Sequence, residues 1–213
     1  LNLLRKNNIL KKKFFKIIVK KNIPHGSGLG GGSSNAATLL KYLNYKLKLN
    51  ITKNKMQKLA NQIGFDVPIN LEKVNTFLNG RKNKILRLNQ DFNLNLIIVY
   101  PNIICSTKKI YGQKRKINPS KKYNYFRASN NKRLINFLKK EPNDLEESAT
   151  KIYPKIRKVI SFIYSLKGCQ ISRITGSGSA CIGIFSNMKN AIYAKKLIKL
   201  KYPKYWCTVS KTI

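Results

Sequence analysis

Leu3, Leu4 and Leu10 fall near one stripe of the opening residues, which predicts a helix over residues 1–13. Phe15, Ile17 and Val19 then alternate with Lys16, Ile18 and Lys20, the period of a half-buried strand. Beyond a glycine-rich stretch, Ala36, Ala37, Leu40 and Leu43 keep helical spacing, with Ser33 or Ser34 as the expected N-cap. A further helix is expected over residues 53–63, stopping at Gly64 in a left-handed cap. In "GFDVPINL" (64–71), Asp66 is placed to cap a short helix carrying Pro68 in its first turn.

From about residue 80 the texture changes. "LNLIIVYP" (94–101) predicts a strand and "STKKIY" (106–111) the start of a helix, while residues 108–133 form a very basic stretch with no acid. "NDLEESATKIYPKIRKVISFIYSL" (143–166) reads as one or two helices, broken near Pro154. "QISRITGSGSACIGIF" (170–185) reads as strand, glycine turn, strand; "MKNAIYAKKLIKLKYP" (188–203) as a helix; and "KYWCTVSKTI" (204–213) as a last strand. Strand, helices, strand, strand, helix, strand is the order of a split βαβ, ferredoxin-like sandwich. No internal repeat is visible, and 213 residues allow one domain or two small ones.

Composition narrows the classes. An apolar content of 42% argues against disorder. The charge is extreme, 44 Lys plus Arg against 7 Asp plus Glu, for a formal +37. Lys, Asn and Ile make up about two-fifths of the chain, whereas only about eight of the cations are arginine. Nucleic-acid surfaces draw on arginine for bidentate and stacking contacts, so a joint rise of Lys, Asn and Ile points to biased codon usage acting everywhere. The rival reading is a nucleic-acid surface at 108–133, where Tyr111, Tyr123, Tyr125 and Phe126 interleave with cations; a solvated, drift-enriched loop is the simpler account. Cys105, Cys169, Cys181 and Cys207 are far apart and form no C-x-x-C pair, and His25 is the one histidine, so neither a zinc site nor a secreted disulfide framework is expected. No apolar run approaches the roughly 20 residues of a bilayer span. The basic, amphipathic start lacks the serine and arginine enrichment of a transit peptide and a secretory cleavage site.

The candidate chemistry sits in "IPHGSGLGGGSSNAATLL" (23–40). Between a strand-like and a helix-like run, Pro24, His25, Gly26, Ser27, Gly28, Leu29, Gly30, Gly31, Gly32, Ser33 and Ser34 make a loop whose glycines free the backbone to aim N–H groups at one point, and the following helix adds its positive end. Such a cradle suits phosphate. A Walker A loop is excluded because no lysine lies between Pro24 and Ser34. The dinucleotide pattern G-x-G-x-x-G fits at Gly26, Gly28 and Gly31, but the acid expected about 20 residues on is replaced by "LKLNITK". The V-A-I-K, H-R-D and D-F-G signatures of protein kinases are absent.

"PHGSGLGGGSSNAA" resembles the ATP-binding motif of the GHMP small-molecule kinases, and its three glycines before two serines and Asn-Ala-Ala resemble those of the 4-diphosphocytidyl-2-C-methyl-D-erythritol kinase family. "GFDVPINL", "YPNIICSTKKIY", "NDLEESA" and "SRITGSGSACIGIF" are similar, in the same order, to that family's G-A-D-V-P, P…STKEVY, N-D-L-E and S-x-M-T-G-S-G segments. The resemblance implies an α+β, two-domain architecture: an ATP-binding domain over 1–80, incomplete at its start, and a ferredoxin-like domain over 81–213. It implies phosphoryl transfer from ATP, with Mg²⁺, to the 2-hydroxyl of a small substrate, cytidine diphosphate-linked methylerythritol. It places the catalytic aspartate at Asp66, ATP contacts along residues 24–34, and substrate or phosphate contacts at Thr175, Gly176, Ser177 and Gly178, the last four being equally well explained as a hairpin turn. Ser33 and Ser34 could donate hydroxyl hydrogen bonds or help hold a magnesium ion, no side chain is assigned as a metal ligand, and His25 is read as non-catalytic. "GRKN" (80–83) departs from the family's G-x-G-E element, and the family's opening P-A-K-[LI]-N-L strand with its lysine has no counterpart, so an N-terminally truncated form is expected. A truncated, inactive nucleotide-binding remnant and a nucleic-acid-binding protein are the alternative readings. Neither a membrane nor a nucleic-acid partner is expected, and a bacterial cytoplasm is the expected setting.

Overall fold

The computed structural model describes residues 1–11, 14–79, 84–113 and 129–212. Contacts divide the chain into two compact units, Leu1–Ile23 with Gly30–Asn89, and Pro24–Leu29 with Gln90–Ile213.

In the first unit, helix α1 (Asn2–Lys6) has five residues, well under half the expected length. Asn8 turns left-handed at φ 55°, a conformation asparagine tolerates, and the backbone N–H groups of Ile9 and Leu10 fold back onto the carbonyl of Leu4. Leu4 and Leu10 consequently meet in one core. The strand expected around Phe15, Ile17 and Val19 is not formed. A strand exists only with a ladder partner, and among the described residues none pairs with this run, which leaves Phe14, Ile17, Ile18 and Val19 exposed.

Helix α2 (Gly31–Lys46) begins inside the glycine run, and Ala37, Leu40 and Leu43 bury its inner stripe. Its N-cap is Gly30, in left-handed backbone at φ 68°, with no side-chain cap; Ser33 and Ser34 lie within the first turn instead of ahead of it. Helix α3 (Lys53–Ile63) matches its expected bounds, with Thr52 Oγ1 accepting from Lys55 N. Gly64 ends it in extended backbone at φ 171°, and the expected left-handed cap is absent. A 3-10 turn (Pro68–Leu71) packs on α2 and α3. The antiparallel hairpin of β1 (Thr76–Asn79) and β2 (Lys84–Arg87) completes the unit. The GRKN segment at 80–83 lies outside the described residues.

The second unit is built on the antiparallel sheet order β4-β5-β3-β6, with β3 at Asn95–Tyr100, β4 at Cys169–Ile174, β5 at Cys181–Phe185 and β6 at Trp206–Lys211. Helices α4 (Thr107–Gly112), α5 (Asn131–Lys140), α6 (Glu146–Ile152), α7 (Pro154–Ser165) and α8 (Met188–Lys201) accompany it. Pro154 separates α6 from α7 as its missing N–H requires, sitting in the first turn of α7 where that group has no acceptor to lose. Helices α7 and α8 pack on the sheet and bury Ile156, Val159, Ile163, Ala191, Ala194 and Ile198 against Ile97, Val99 and Phe185. Each fully buried isoleucine adds about 1.5–3 kcal/mol over leaving it in water. This β-α-β-β-α-β arrangement is the ferredoxin-like sandwich. Among the described residues no helix is long and apolar enough to cross a membrane. Most of the basic stretch, residues 114–128, lies outside the described residues.

Candidate functional site

The second unit brings two glycine turns together. Ser27, buried, gives its carbonyl to Ala180 N at 3.0 Å, which lays Pro24–Leu29 along the turn joining β4 to β5. That turn is closed by Thr175 N to Ala180 O and by Gly178 N to Thr175 O, both 2.9 Å. Gly28 crosses it at φ 78°, and a Cβ there would stand 2.5 Å from Gly178 O and 3.0 Å from Thr175 O. No residue with a side chain fits that crossing without displacing backbone. On the loop's other side, Tyr100 donates its hydroxyl to His25 O at 3.3 Å, and burial, with Cys105 nearby, pushes that phenol's pKa up. The side chain of His25 is exposed and its backbone carries the contact. Ser177 Oγ and Thr107 Oγ1 are 3.1 Å apart, and Ser179 hydrogen-bonds through Oγ to Ile103 O, so the start of α4 is tied to the turn as well.

From Leu29 the chain passes directly to Gly30 and into α2 in the first unit. The first hydrogen bond of that helix runs from Ser34 N to Gly30 O at 3.0 Å. The N–H groups of Gly31, Gly32 and Ser33 therefore have no acceptor within the helix. Among the described residues nothing approaches within 4 Å of where a Cβ would stand on Gly30, Gly31 or Gly32, and no acid occupies the first turn. With its amide turned to donate to Gly31 O at 3.3 Å, Asn35 accepts from Lys21 Nζ at 3.2 Å, which sets a cation beside the helix's positive end. Open space, unpaired donors, a helix dipole and a lysine together form an anion-accepting end.

Asp66 belongs to the first unit. Its carboxylate is exposed, makes no cap bond to the turn that follows, and has no hydrogen-bond or ion-pair partner among the described residues. The expected capping role is thus not filled by its side chain; Val67, not Asp66, occupies the cap position. Its backbone is well held instead. Val67 is buried in the core shared with α2 and α3, and Asn70 Nδ2 donates to Asp66 O at 2.8 Å. Arg87 on β2 donates to the carbonyls of Pro68 and Ile69, both at 2.8 Å, and to Thr76 Oγ1 at 2.7 Å, with Glu72 3.7 Å from its Nε. The aspartate thus sits exposed on a fixed turn.

Sequence reasoning singled out the loop, the second glycine turn and Asp66. It missed Lys21, Asn35 and Arg87, whose roles come from backbone carbonyls and a helix end that no side-chain pattern marks. It also gave no role to the N-D-L-E residues. Asn143 Nδ2 donates to Ile174 O at 3.1 Å and Gly176 O at 2.9 Å, and Glu146 Oε2 accepts from Ile174 N at 2.8 Å.

Comparison with known proteins gives the family and the fold. The description "GHMP kinases N terminal domain" matches residues 1–71 and "GHMP kinases C terminal" matches residues 125–199. A 4-diphosphocytidyl-2-C-methyl-D-erythritol kinase of Pelagibacter ubique (strain HTCC1062) is 34% identical over 220 residues, covering 100% of this chain and 74% of the relative. A crystal structure of 4-(cytidine 5'-diphospho)-2C-methyl-D-erythritol kinase superposes with a TM-score of 0.70 at 25% identity, over 89% of this chain and 68% of that one. A homoserine kinase from Cytophaga hutchinsonii shares the fold, with a TM-score of 0.66 at 15% identity over 91% of this chain and 68% of that one.

Proposed function

This chain belongs to the 4-diphosphocytidyl-2-C-methyl-D-erythritol kinase family of GHMP kinases, and from that membership we propose that it transfers the γ-phosphoryl group of ATP to the 2-hydroxyl of 4-diphosphocytidyl-2-C-methyl-D-erythritol, a step of non-mevalonate isoprenoid precursor synthesis. The observation that carries the reading is the start of α2, where a left-handed Gly30 is followed by N–H donors at residues 31–33 with no acceptor in the helix and Lys21 stands beside them.

Phosphoryl transfer asks a protein mainly to position and to neutralise. The N–H groups of Gly31, Gly32 and Ser33, with Lys21 beside them, take the phosphate oxygens of ATP; Ser33 and Ser34 add hydroxyl donors. Asp66 orients the acceptor hydroxyl and takes its proton as the oxygen attacks the γ-phosphorus. One P–O bond forms, the bond to the β–γ bridging oxygen breaks, and ADP leaves. Thr175–Gly178 supports the loop and offers backbone to substrate phosphate.

Magnesium favours oxygen donors and keeps much of its own water. Among the described residues no three His, Cys, Asp or Glu side chains gather to hold a metal unaided. Serine hydroxyls at the helix start fit an ion that arrives with the nucleotide, and Ser33 or Ser34 would then ligate it. When bound, magnesium supplies charge neutralisation on the phosphates.

The reading also divides the chain near residue 80, with nucleotide on the first part, and places the protein in a bacterial cytoplasm. A coupled assay of ADP release with ATP and magnesium, run across 4-diphosphocytidyl-2-C-methyl-D-erythritol, homoserine and mevalonate, tests it. Release stimulated by the first acceptor alone supports the proposal; release stimulated by another acceptor in its place would replace it.

A further inference from the structure

β4 is an edge strand, so the outward backbone groups at its end have no neighbouring strand to pair with. Two side chains supply what a strand would. Glu146 Oε2 accepts from Ile174 N, and Asn143 Nδ2 donates to Ile174 O and on to Gly176 O. The orientation of Asn143 is fixed by its other end, where Oδ1 accepts from Leu145 N at 3.0 Å and starts α6. Both bracing residues are themselves anchored. Leu145 between them is buried in the core, and Arg173 on β4 donates to the carbonyls of Glu141 and Leu138, tying down the chain that leads into Asn143.

Beyond Gly176 the turn is held on its α4 side by Ser177 Oγ against Thr107 Oγ1 and by Ser179 Oγ on Ile103 O, while its glycines, at φ 56° and 82°, are positions where the chain is soft. Its far face receives Gly28, which stands against the carbonyls of Thr175 and Gly178. Displacing either carbonyl shifts the platform on which Gly28 rests, two residues before the helix end at Gly30. We propose that Asn143 and Glu146 are positioning residues for nucleotide binding: they set the Thr175–Gly178 turn, and through it the loop that holds the phosphates of ATP. This rests on the reading of residues 24–34 as the ATP loop.

Substitution separates this role from simple helix capping. Asn143→Asp keeps the acceptor for Leu145 N and loses both donors, setting a carboxylate against two carbonyl oxygens; Asn143→Ala loses everything. Glu146→Gln keeps an oxygen for Ile174 N, and Glu146→Ala does not. Two readouts are taken on the full chain: ATP affinity by calorimetry, and hydrogen exchange of the amides at 26–29 and 174–178 without nucleotide. The inference expects Asn143→Asp and Asn143→Ala alike to weaken ATP about tenfold and to speed exchange in both turns, Glu146→Ala to do the same, and Glu146→Gln to restore the behaviour of the unaltered protein. Wild-type affinity and exchange in Asn143→Asp, with loss only in Asn143→Ala, would assign Asn143 to capping and overturn the inference. Faster exchange confined to 174–178, with ATP affinity unchanged, also overturns it. If the unaltered chain binds no ATP yet Asn143→Asp loosens both turns, the nucleotide reading falls while the coupling between the turns stands. Should Asn143→Asp fail to fold, the Glu146 pair gives both readouts alone.

Discussion

Gly28 lies so close to Gly178 that a single added carbon on the first would stand 2.5 Å from the carbonyl oxygen of the second. The contact joins two segments 150 residues apart and explains why the first is a glycine; Gly178 is favoured by its own left-handed backbone at φ 82°. It also separates two kinds of glycine in one loop. Gly28→Ala must bear both left-handed backbone and a collision with backbone, a loss of about 2 kcal/mol or more, whereas Gly30→Ala, left-handed with open space, loses about 1 kcal/mol. Urea unfolding of the two variants measures the difference, and equal losses would remove the interlocking of the turns from the account.

Among the described residues a Cβ on Gly31 or Gly32 would meet nothing within 4 Å, and both have helical backbone. Alanine there favours the helix, so Gly31→Ala is expected to raise the stability of the nucleotide-free protein by about 0.5 kcal/mol. The same methyl group projects into the space assigned to phosphate, and ATP affinity is expected to fall. Stability and affinity moving in opposite directions is the signature; both rising together would mean that the space is not used by nucleotide.

Asp66 is exposed and unpaired, so Asp66→Asn is expected to change stability by no more than about 0.5 kcal/mol. Turnover should drop by about 10²–10⁴, the usual contribution of a positioned base, with ATP affinity kept. Steady-state kinetics beside a calorimetric Kd checks this, and retained turnover would move the base elsewhere.

The sheet in the second unit has one tight point. A Cβ on Gly183 of β5 would stand 2.5 Å from Ile163 Cγ2 on α7 and 3.0 Å from Ile97 Cγ2 on β3. Gly183→Ala therefore overpacks the layer between helix and sheet and is expected to cost about 1–3 kcal/mol. Ile163→Ala, which removes that Cγ2 methyl, should cost less in the Gly183→Ala background than alone; a purely additive double variant would contradict the packing.

Burial pushes the thiols of Cys169 and Cys207 up to about 11, eased at Cys169 by the backbone of Ile171 and at Cys207 by Lys195 and Lys199. Unfolded thiols ionise near 9.0, so between pH 9 and about 11 the unfolded chain gives up protons that the folded chain keeps. Stability supplied by these groups is complete below pH 9 and is lost as pH rises through that window. Urea midpoints at pH 8 and 10 under reducing conditions should fall less in Cys207→Ala than in the unaltered protein, whatever the variant's absolute stability.

Where side chains dictate backbone, the sequence was legible. The helix over 53–63 formed at its expected bounds, Ser106 heads the helix expected to open there, Pro154 breaks another, and the apolar run at 94–101 became β3. The order of elements gave the ferredoxin-like half. Periodicity failed where it met no partner, as at Phe15, Ile17 and Val19, or where lysine and asparagine masked it, as in the four-residue strands β1 and β2 and in α5, which buries no side chain completely. Of the site, the glycine loop and Asp66 stood out by residue type. The braces did not, because Arg87, Asn143 and Glu146 act on main-chain groups 18 to 33 residues away, and such pairs leave no local pattern.

The central claim, that residues 24–34 hold the phosphates of ATP, is tested most directly by following backbone amide resonances as ATP and magnesium are added to the full chain. The account predicts large, saturable shifts at Gly28 through Ser34, smaller ones at Thr175–Gly178, and none along α8. Saturable ATP binding that leaves the amides of Gly31, Gly32 and Ser33 unmoved would contradict it.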